Sequence, residues 1–89
     1  MQEKELVIIN KLGLHARAAA KLIGVTSRFS SEVLMEKDGR AVDGKSIMSV
    51  MMLAASKGTT LTVKVTGSDE ETAISAIEEL INNRFDEEE

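Results

Sequence analysis

Eighty-nine residues, 43% apolar and 29% charged with a net charge of −4, describe a soluble globular chain forming one domain, too short for two separate cores. With no cysteine, disulfides, thiolate catalysis and a Cys-ligated metal site are excluded; one histidine makes a His-rich metal site hard to build, and two phenylalanines as the only aromatics are a poor composition for stacking bases. No apolar run approaches the roughly 20 residues of a membrane span, and Met1 to Glu5 has no signal-peptide pattern. The expectation is a cytoplasmic domain with no nucleic-acid partner and no membrane insertion.

Glu5 to Ile9 is β-rich and is closed by Asn10 and Gly13, predicting a strand and a loop. Ala16 to Arg28 has helical spacing. Ala19, Leu22, Ile23 and Thr26 form an apolar stripe, while Arg17, Ala20, Gly24 and Ser27 form a second stripe of mostly small residues. Ser31 to Lys37 alternates, with Val33 and Met35 on one face, and Asp38-Gly39 supplies the positive-φ pair of a tight hairpin turn. Arg40 to Val42 returns as a short strand, followed by a turn at Asp43-Gly44.

Ser46 then stands as N-cap to a short apolar helix from Ile47 to about Ala55, ended by Gly58. Ile47, Val50, Leu53 and Ala54 are expected to face the sheet, and Met48, Met51, Met52 and Ala55 to face away. Thr60 to Thr66 alternates as the clearest strand. Ser68 to Glu71 reads as a capping box opening a last helix, which buries Ala73, Ile74, Ile77, Leu80 and Ile81. Asp86 to Glu89 is expected to fray. Residues 1–89 thus form a single α+β domain in the order β-α-β-β-α-β-α. The expected architecture is an open-faced β-sandwich: a four-stranded, mostly antiparallel sheet with three helices on one face.

Charge is unevenly distributed. Asn10 to Arg28 carries Lys11, Arg17, Lys21 and Arg28 and no acid, whereas residues 68–89 hold nine of the fifteen acids against Arg84 alone. His15 lies in the acid-free stretch, at the start of the first helix. Orphan N–H groups and the positive end of the helix dipole converge there and favour an anion. That field, with Arg17, is expected to lower the His15 pKa and leave a neutral imidazole, which can act as a nucleophile. Arg17 could set its guanidinium fork against phosphoryl oxygens. The plainer alternative is that His15 only caps a helix and Arg17 is solvated; the residues alone leave both open. No neighbouring acid or base activates water for hydrolysis, so the pattern suggests a group accepted and handed on.

The Met-rich stretch is equally two-sided. An exposed methionine stripe suits docking to several partners, and the same residues could instead fill a core. Ser46 is by default a structural cap, yet a phosphate there would add roughly two negative charges beside the stripe.

Lys11-Leu12-Gly13-Leu14-His15-Ala16-Arg17, with Gly44-Lys45-Ser46-Ile47-Met48 some thirty residues later, resembles the HPr family. Its members are the histidine-containing phosphocarriers of the bacterial phosphoenolpyruvate-dependent phosphotransferase system. The resemblance spans nearly the whole chain. It implies a carrier that is not an enzyme, with no cofactor and no metal, expected as a monomer. His15 would accept a phosphoryl group on Nδ1 from phosphorylated Enzyme I and pass it to a IIA domain. Arg17 would neutralise that group, and Ser46 would be the target of an HPr kinase/phosphorylase. Ala16, Ala20, Gly24, Ile47, Met48, Met51 and Met52 would form the partner-binding surface.

The chain has Arg17-Ala18-Ala19 where the family commonly has Arg-Pro-Ala, which adds a backbone N–H near the site. Its acidic ending looks more like the nitrogen-related paralogue NPr, while Lys45-Ser46-Ile47-Met48 looks more like HPr of bacteria that have the serine kinase. Two other readings stand beside the carrier. One is a docking module switched at Ser46 with His15 structural; the other is a small-ligand regulatory domain, for which no apolar pocket lining is evident.

Overall fold

The computed structural model describes residues 1–89. Strands β1 (Gln2–Val7), β2 (Glu32–Lys37), β3 (Arg40–Asp43) and β4 (Thr60–Thr66) alternate with helices α1 (Ala16–Thr26), α2 (Ile47–Met51) and α3 (Glu70–Asn82) in the expected order. The sheet order is β1-β4-β2-β3, and every pairing is antiparallel. Alternation sets the register: Leu6 lies opposite Leu61, Val33 opposite Val65, and Met35 opposite Val63. These side chains turn inward under the helices. Glu36 and Lys64 pair on the uncovered face at 3.4 Å, so the open-faced sandwich is confirmed.

Several boundaries differ from the sequence reading. β1 begins at Gln2, because Gln2 to Glu5 pair with β4 through their backbone while their polar side chains gave no alternation signal. α1 stops at Thr26, whose hydroxyl donates to the Gly44 carbonyl at 2.9 Å and ties the helix end to the β3–α2 turn. Asp38 and Gly39 take φ of 52° and 81°, as the hairpin turn requires. The capping box at Ser68 does not form: α3 starts one residue later, from Asp69. The Asp69 carboxylate instead accepts the N–H groups of Ser30 and Ser31 at 2.9 and 3.0 Å and the Ser31 hydroxyl.

α2 is shorter than expected. Leu53 and Ala54 donate to Val50 and Met51 in tight turns, and Ala54 takes φ of 52°, which reverses the chain. Lys37 Nζ satisfies the freed carbonyls of Leu53 and Ala54 at 3.0 and 3.3 Å. The reversal exchanges two expected orientations, so Ala55 is buried and Ala54 exposed, while Ile47 in the first turn is also exposed. Val50 and Leu53 enter the core as expected.

The core joins twenty buried residues into one cluster, including the five expected from α3. Phe85 belongs to it and is fully buried, although it lies in the charged end of the chain. Burying a side chain of that size stabilises by about 1.5–3 kcal/mol, enough to fix the segment that carries it. Arg84, Phe85 and Asp86 all take positive φ, at 55°, 52° and 63°. Such a left-handed run costs on the order of 1–2 kcal/mol per residue for non-glycine side chains and turns the chain sharply back toward α1. The expected fraying of Asp86 to Glu89 is therefore corrected, since Phe85 anchors the segment and Glu87 and Glu89 make contacts of their own.

Candidate functional site

His15 is the N-cap residue of α1: its backbone is extended and its carbonyl accepts the Ala19 N–H at 2.8 Å. Its side chain makes no capping bond. That removes the reading in which the imidazole merely closes the helix. The loop that presents it is held from two sides. Asn10 is fully buried and donates Nδ2–H to the Gly13 carbonyl at 2.8 Å. Leu14 donates its N–H to the Ala55 carbonyl at 2.8 Å. Gly13, with φ of 67°, runs so close to α2's exit that an added Cβ would meet the Ala55 oxygen at 2.5 Å. Only glycine fits both conditions.

The surroundings of His15 are not the acid-free field expected from its neighbours in sequence. The turn at Phe85 brings Glu87 against the ring, and Glu87 Oε2 contacts His15 Nε2. The other oxygen, Oε1, accepts the second Nδ2–H of Asn10 at 2.8 Å. Asn10 thus bridges the loop that presents His15 and the chain end. Its Oδ1 is buried without a partner, a loss of about 1–3 kcal/mol. Turning the amide over would face that oxygen toward two acceptors, so the orientation is fixed. The Glu87 carboxyl is held below the usual carboxylate range, first by Asn10, against the opposing effect of desolvation, and then by His15 and Arg17. It is therefore an acceptor, and in the contact the His15 Nε2–H donates to it.

The ring itself remains reachable, with 28% of the side chain exposed against 16% for Glu87. Beside it lies an open groove of about 670 Å3, lined by Lys11, Leu12, Arg17, Lys21 and the acids from Asp86 to Glu89. Lys21 Nζ donates to the Phe85 carbonyl at 2.9 Å, and Lys11 donates its backbone N–H to the Glu89 carbonyl. Arg17 is exposed on this groove, close enough to contribute to the field at Glu87. Leu12 is the groove's one apolar lining residue, which leaves no apolar ligand pocket here.

Along α1 from Arg17, Ala16, Ala20 and Gly24 are exposed. Ile47, Met48, Met51 and Met52 of the α2 region are exposed as well, Met48 and Met52 by 68% and 61%. Those methionines do not fill the core, a task left to Met35 alone. Ser46 caps α2 as expected, its Oγ accepting the Ser49 N–H at 3.3 Å. Sequence reasoning missed Glu87, and it took Asn10 only for a strand end. The visible clues were a single aromatic among charges near the chain end and the complementarity between an acid-free stretch and an acidic one.

An open-faced sandwich with a partly exposed histidine at the mouth of α1, cations nearby and an apolar patch on the adjoining helix is the arrangement to set beside the small phosphocarrier proteins. The family model for the PTS HPr component phosphorylation site matches residues 2–83. Among relatives, the phosphocarrier protein HPr of Pseudomonas aeruginosa is 57% identical over 88 residues, covering 98% of both chains. That of Xylella fastidiosa is 54% identical over 87 residues, also covering 98% of both. A crystal structure of HPr-C-His from Thermoanaerobacter tengcongensis superposes with a TM-score of 0.97 at 45% identity, covering 100% of both chains. The phosphocarrier HPr of Bacillus anthracis gives 0.87 at 38% identity, covering 90% of this chain and 95% of that one. The chain belongs to the HPr family, and it is a phosphocarrier of the phosphotransferase system rather than an enzyme.

Proposed function

We infer that His15 takes a phosphoryl group on Nδ1 from the phosphohistidine of Enzyme I and passes it to a histidine of a IIA domain. The observation that carries this reading is the partly exposed His15 ring at the entrance of α1, its Nε2 engaged by Glu87, with the groove of Lys11, Arg17 and Lys21 reaching that same carboxylate. Attack by Nδ1 forms an N–P bond while the donor's P–N bond breaks, its electron pair returning to the donor nitrogen. Arg17 neutralises the transferred oxygens, so transfer rests on positioning and charge. Exposed Ala16, Ala20, Gly24, Ile47, Met48, Met51 and Met52 make the surface on which both partners dock in turn.

Ser46 supports regulation at the same surface, because its capped hydroxyl adjoins exposed Ile47 and Met48. A phosphate added there by an HPr kinase/phosphorylase would place charge beside the docking patch. The carrier works as a cytoplasmic monomer, and light scattering checks the monomer. The added N–H of Ala18 tightens the hold on the phosphoryl group; an Ala18→Pro variant whose phosphohistidine hydrolyses at an unchanged rate removes that idea.

The test is intact mass after incubation with phosphoenolpyruvate and Enzyme I. One acid-labile phosphoryl group is expected, absent from a folded His15→Ala variant. No adduct with the cognate Enzyme I would instead favour a docking module switched at Ser46, in which Ser46→Asp changes partner affinity and His15→Ala is neutral.

A further inference from the structure

With no cysteine in the chain, thioethers are its only sulfur groups, and the five methionines fall into three settings. Met35 is fully buried in β2, opposite Val42 and Val63. Met1 is exposed at the chain start, where its amino group pairs with Glu70 at the entrance of α3. Met48, Met51 and Met52 crowd the α2 region, with relative exposures of 68%, 38% and 61%. Met48 and Met52 are four residues apart and share one helix face. A thioether open to solvent is oxidised by peroxides to a sulfoxide, which is polar and chiral.

The fold does not depend on these exposed side chains. α2 is capped by Ser46 Oγ on the Ser49 N–H, and Lys37 Nζ takes the carbonyls of Leu53 and Ala54 at its exit. Val50 and Leu53 tie it into the core. An oxygen added to Met48 or Met52 therefore changes what the surface offers while the backbone that presents it stays in place. Oxidation of Met35 would have to open a close-packed core first.

We propose that Met48 and Met52 are a reversible oxidation site that weakens docking of the carrier's partners, with a peroxide as oxidant and a thiol-dependent sulfoxide reductase restoring the thioethers. This role rests on both methionines lying in the surface that docks Enzyme I and the IIA domain. A sulfur lone pair attacks one oxygen of hydrogen peroxide, so that an S–O bond forms as the O–O bond breaks. Sulfur loses two electrons, and the second oxygen leaves as water with both protons. The return consumes two thiols, which become a disulfide while the sulfoxide oxygen leaves as water. Docked in an apolar groove, a thioether forfeits little hydration, whereas a sulfoxide oxygen is stripped of water with no donor in its place. His15 keeps its chemistry throughout, so the oxidised carrier meets its partners less often and transfers normally once docked.

The experiment treats the full chain with hydrogen peroxide, removes the excess with catalase and locates each added oxygen by peptide mass spectrometry. Initial phosphoryl uptake from phosphorylated Enzyme I is then followed against carrier concentration. Sulfoxide is expected first at Met48 and Met52, later at Met51 and not at Met35, with Met1 oxidised as a bystander. KM for the carrier should rise by on the order of tenfold, with kcat and circular dichroism little changed. Sulfoxide reductases of both stereospecificities should restore it. In Met48→Leu/Met52→Leu, compared with its own untreated sample, peroxide should raise KM no further although Met1 is still oxidised. An unchanged KM in a chain carrying both sulfoxides overturns the proposal, as does an equal rise in the leucine variant or a rise that comes with lost helical signal. Unoxidised Met48→Gln/Met52→Gln separates the site from the docking surface beneath it. If that variant keeps its KM, docking lies elsewhere and both ideas fall; if its KM rises and that of the oxidised chain does not, the oxidation site alone falls.

Discussion

The entrances of α1 and α2 solve the same problem in opposite ways. At α2 the N-cap side chain turns inward: Ser46 Oγ closes on the Ser49 N–H three residues on, and everything needed lies within four residues. At α1 the N-cap side chain turns outward, leaving its helix uncapped, and is steadied by a carboxylate from the far end of the chain. A local cap stabilises a helix and commits its side chain to doing so. A long-range brace leaves the ring's other nitrogen available, at the cost of depending on distant residues. The difference separates a side chain used by its own helix from one left free of it.

The contrast can be broken most severely from a distance. Phe85→Ala removes the anchor and is expected to cost about 3–5 kcal/mol in urea unfolding. In the variant's folded state, amides of residues 10–15 should lose hydrogen-exchange protection while those of 46–50 keep theirs. Equal loss at both entrances would show that Phe85 supports the core generally and not the His15 loop.

Asp69 sharpens the comparison as a third entrance, where the N-cap carboxylate serves a neighbouring loop instead of its own helix. Ser31 and Ser30 hold its pKa down from an ordinary 3.8 to about 2. Its contribution is thus fully present above about pH 4 and disappears as pH falls toward 2. Asp69→Asn should be less stable at neutral pH, with the gap closing across that window; a gap independent of pH would remove the carboxylate from the account. The smallest effect belongs to Ser46→Ala, a loss of about 1 kcal/mol that should leave the His15 ring tautomer untouched.

These contrasts also mark what could be read in the residues themselves. Ser46, Asp38-Gly39 and the stripe from Ala73 to Ile81 were legible because each is a pattern of close neighbours, one turn or one helix face long. The Ser68 box was misread because a matching pattern does not show that Asp69 has a stronger use elsewhere, on Ser30 and Ser31. Ala54 and Ala55 were exchanged because one alanine adopts a left-handed conformation that its side chain does not advertise. The position of His15 at α1's start was legible, but its partner was not. No periodicity links residue 15 to residue 87, and the turn joining them is built from arginine, phenylalanine and aspartate rather than glycine.

Gly13's close approach to Ala55 matters for how a visiting protein meets the ring. The His15 loop rests backbone to backbone on the exit of α2, whose outer side carries Met51 and Met52. No hinge lies between the handle a partner would grasp and the nitrogen it would have to reach. Grasping the handle locates the nitrogen without a further search, so little of the docking energy is dissipated in ordering a mobile loop. A bulkier residue at position 13 would insert play into that joint, and both partners would feel it even though neither touches the glycine.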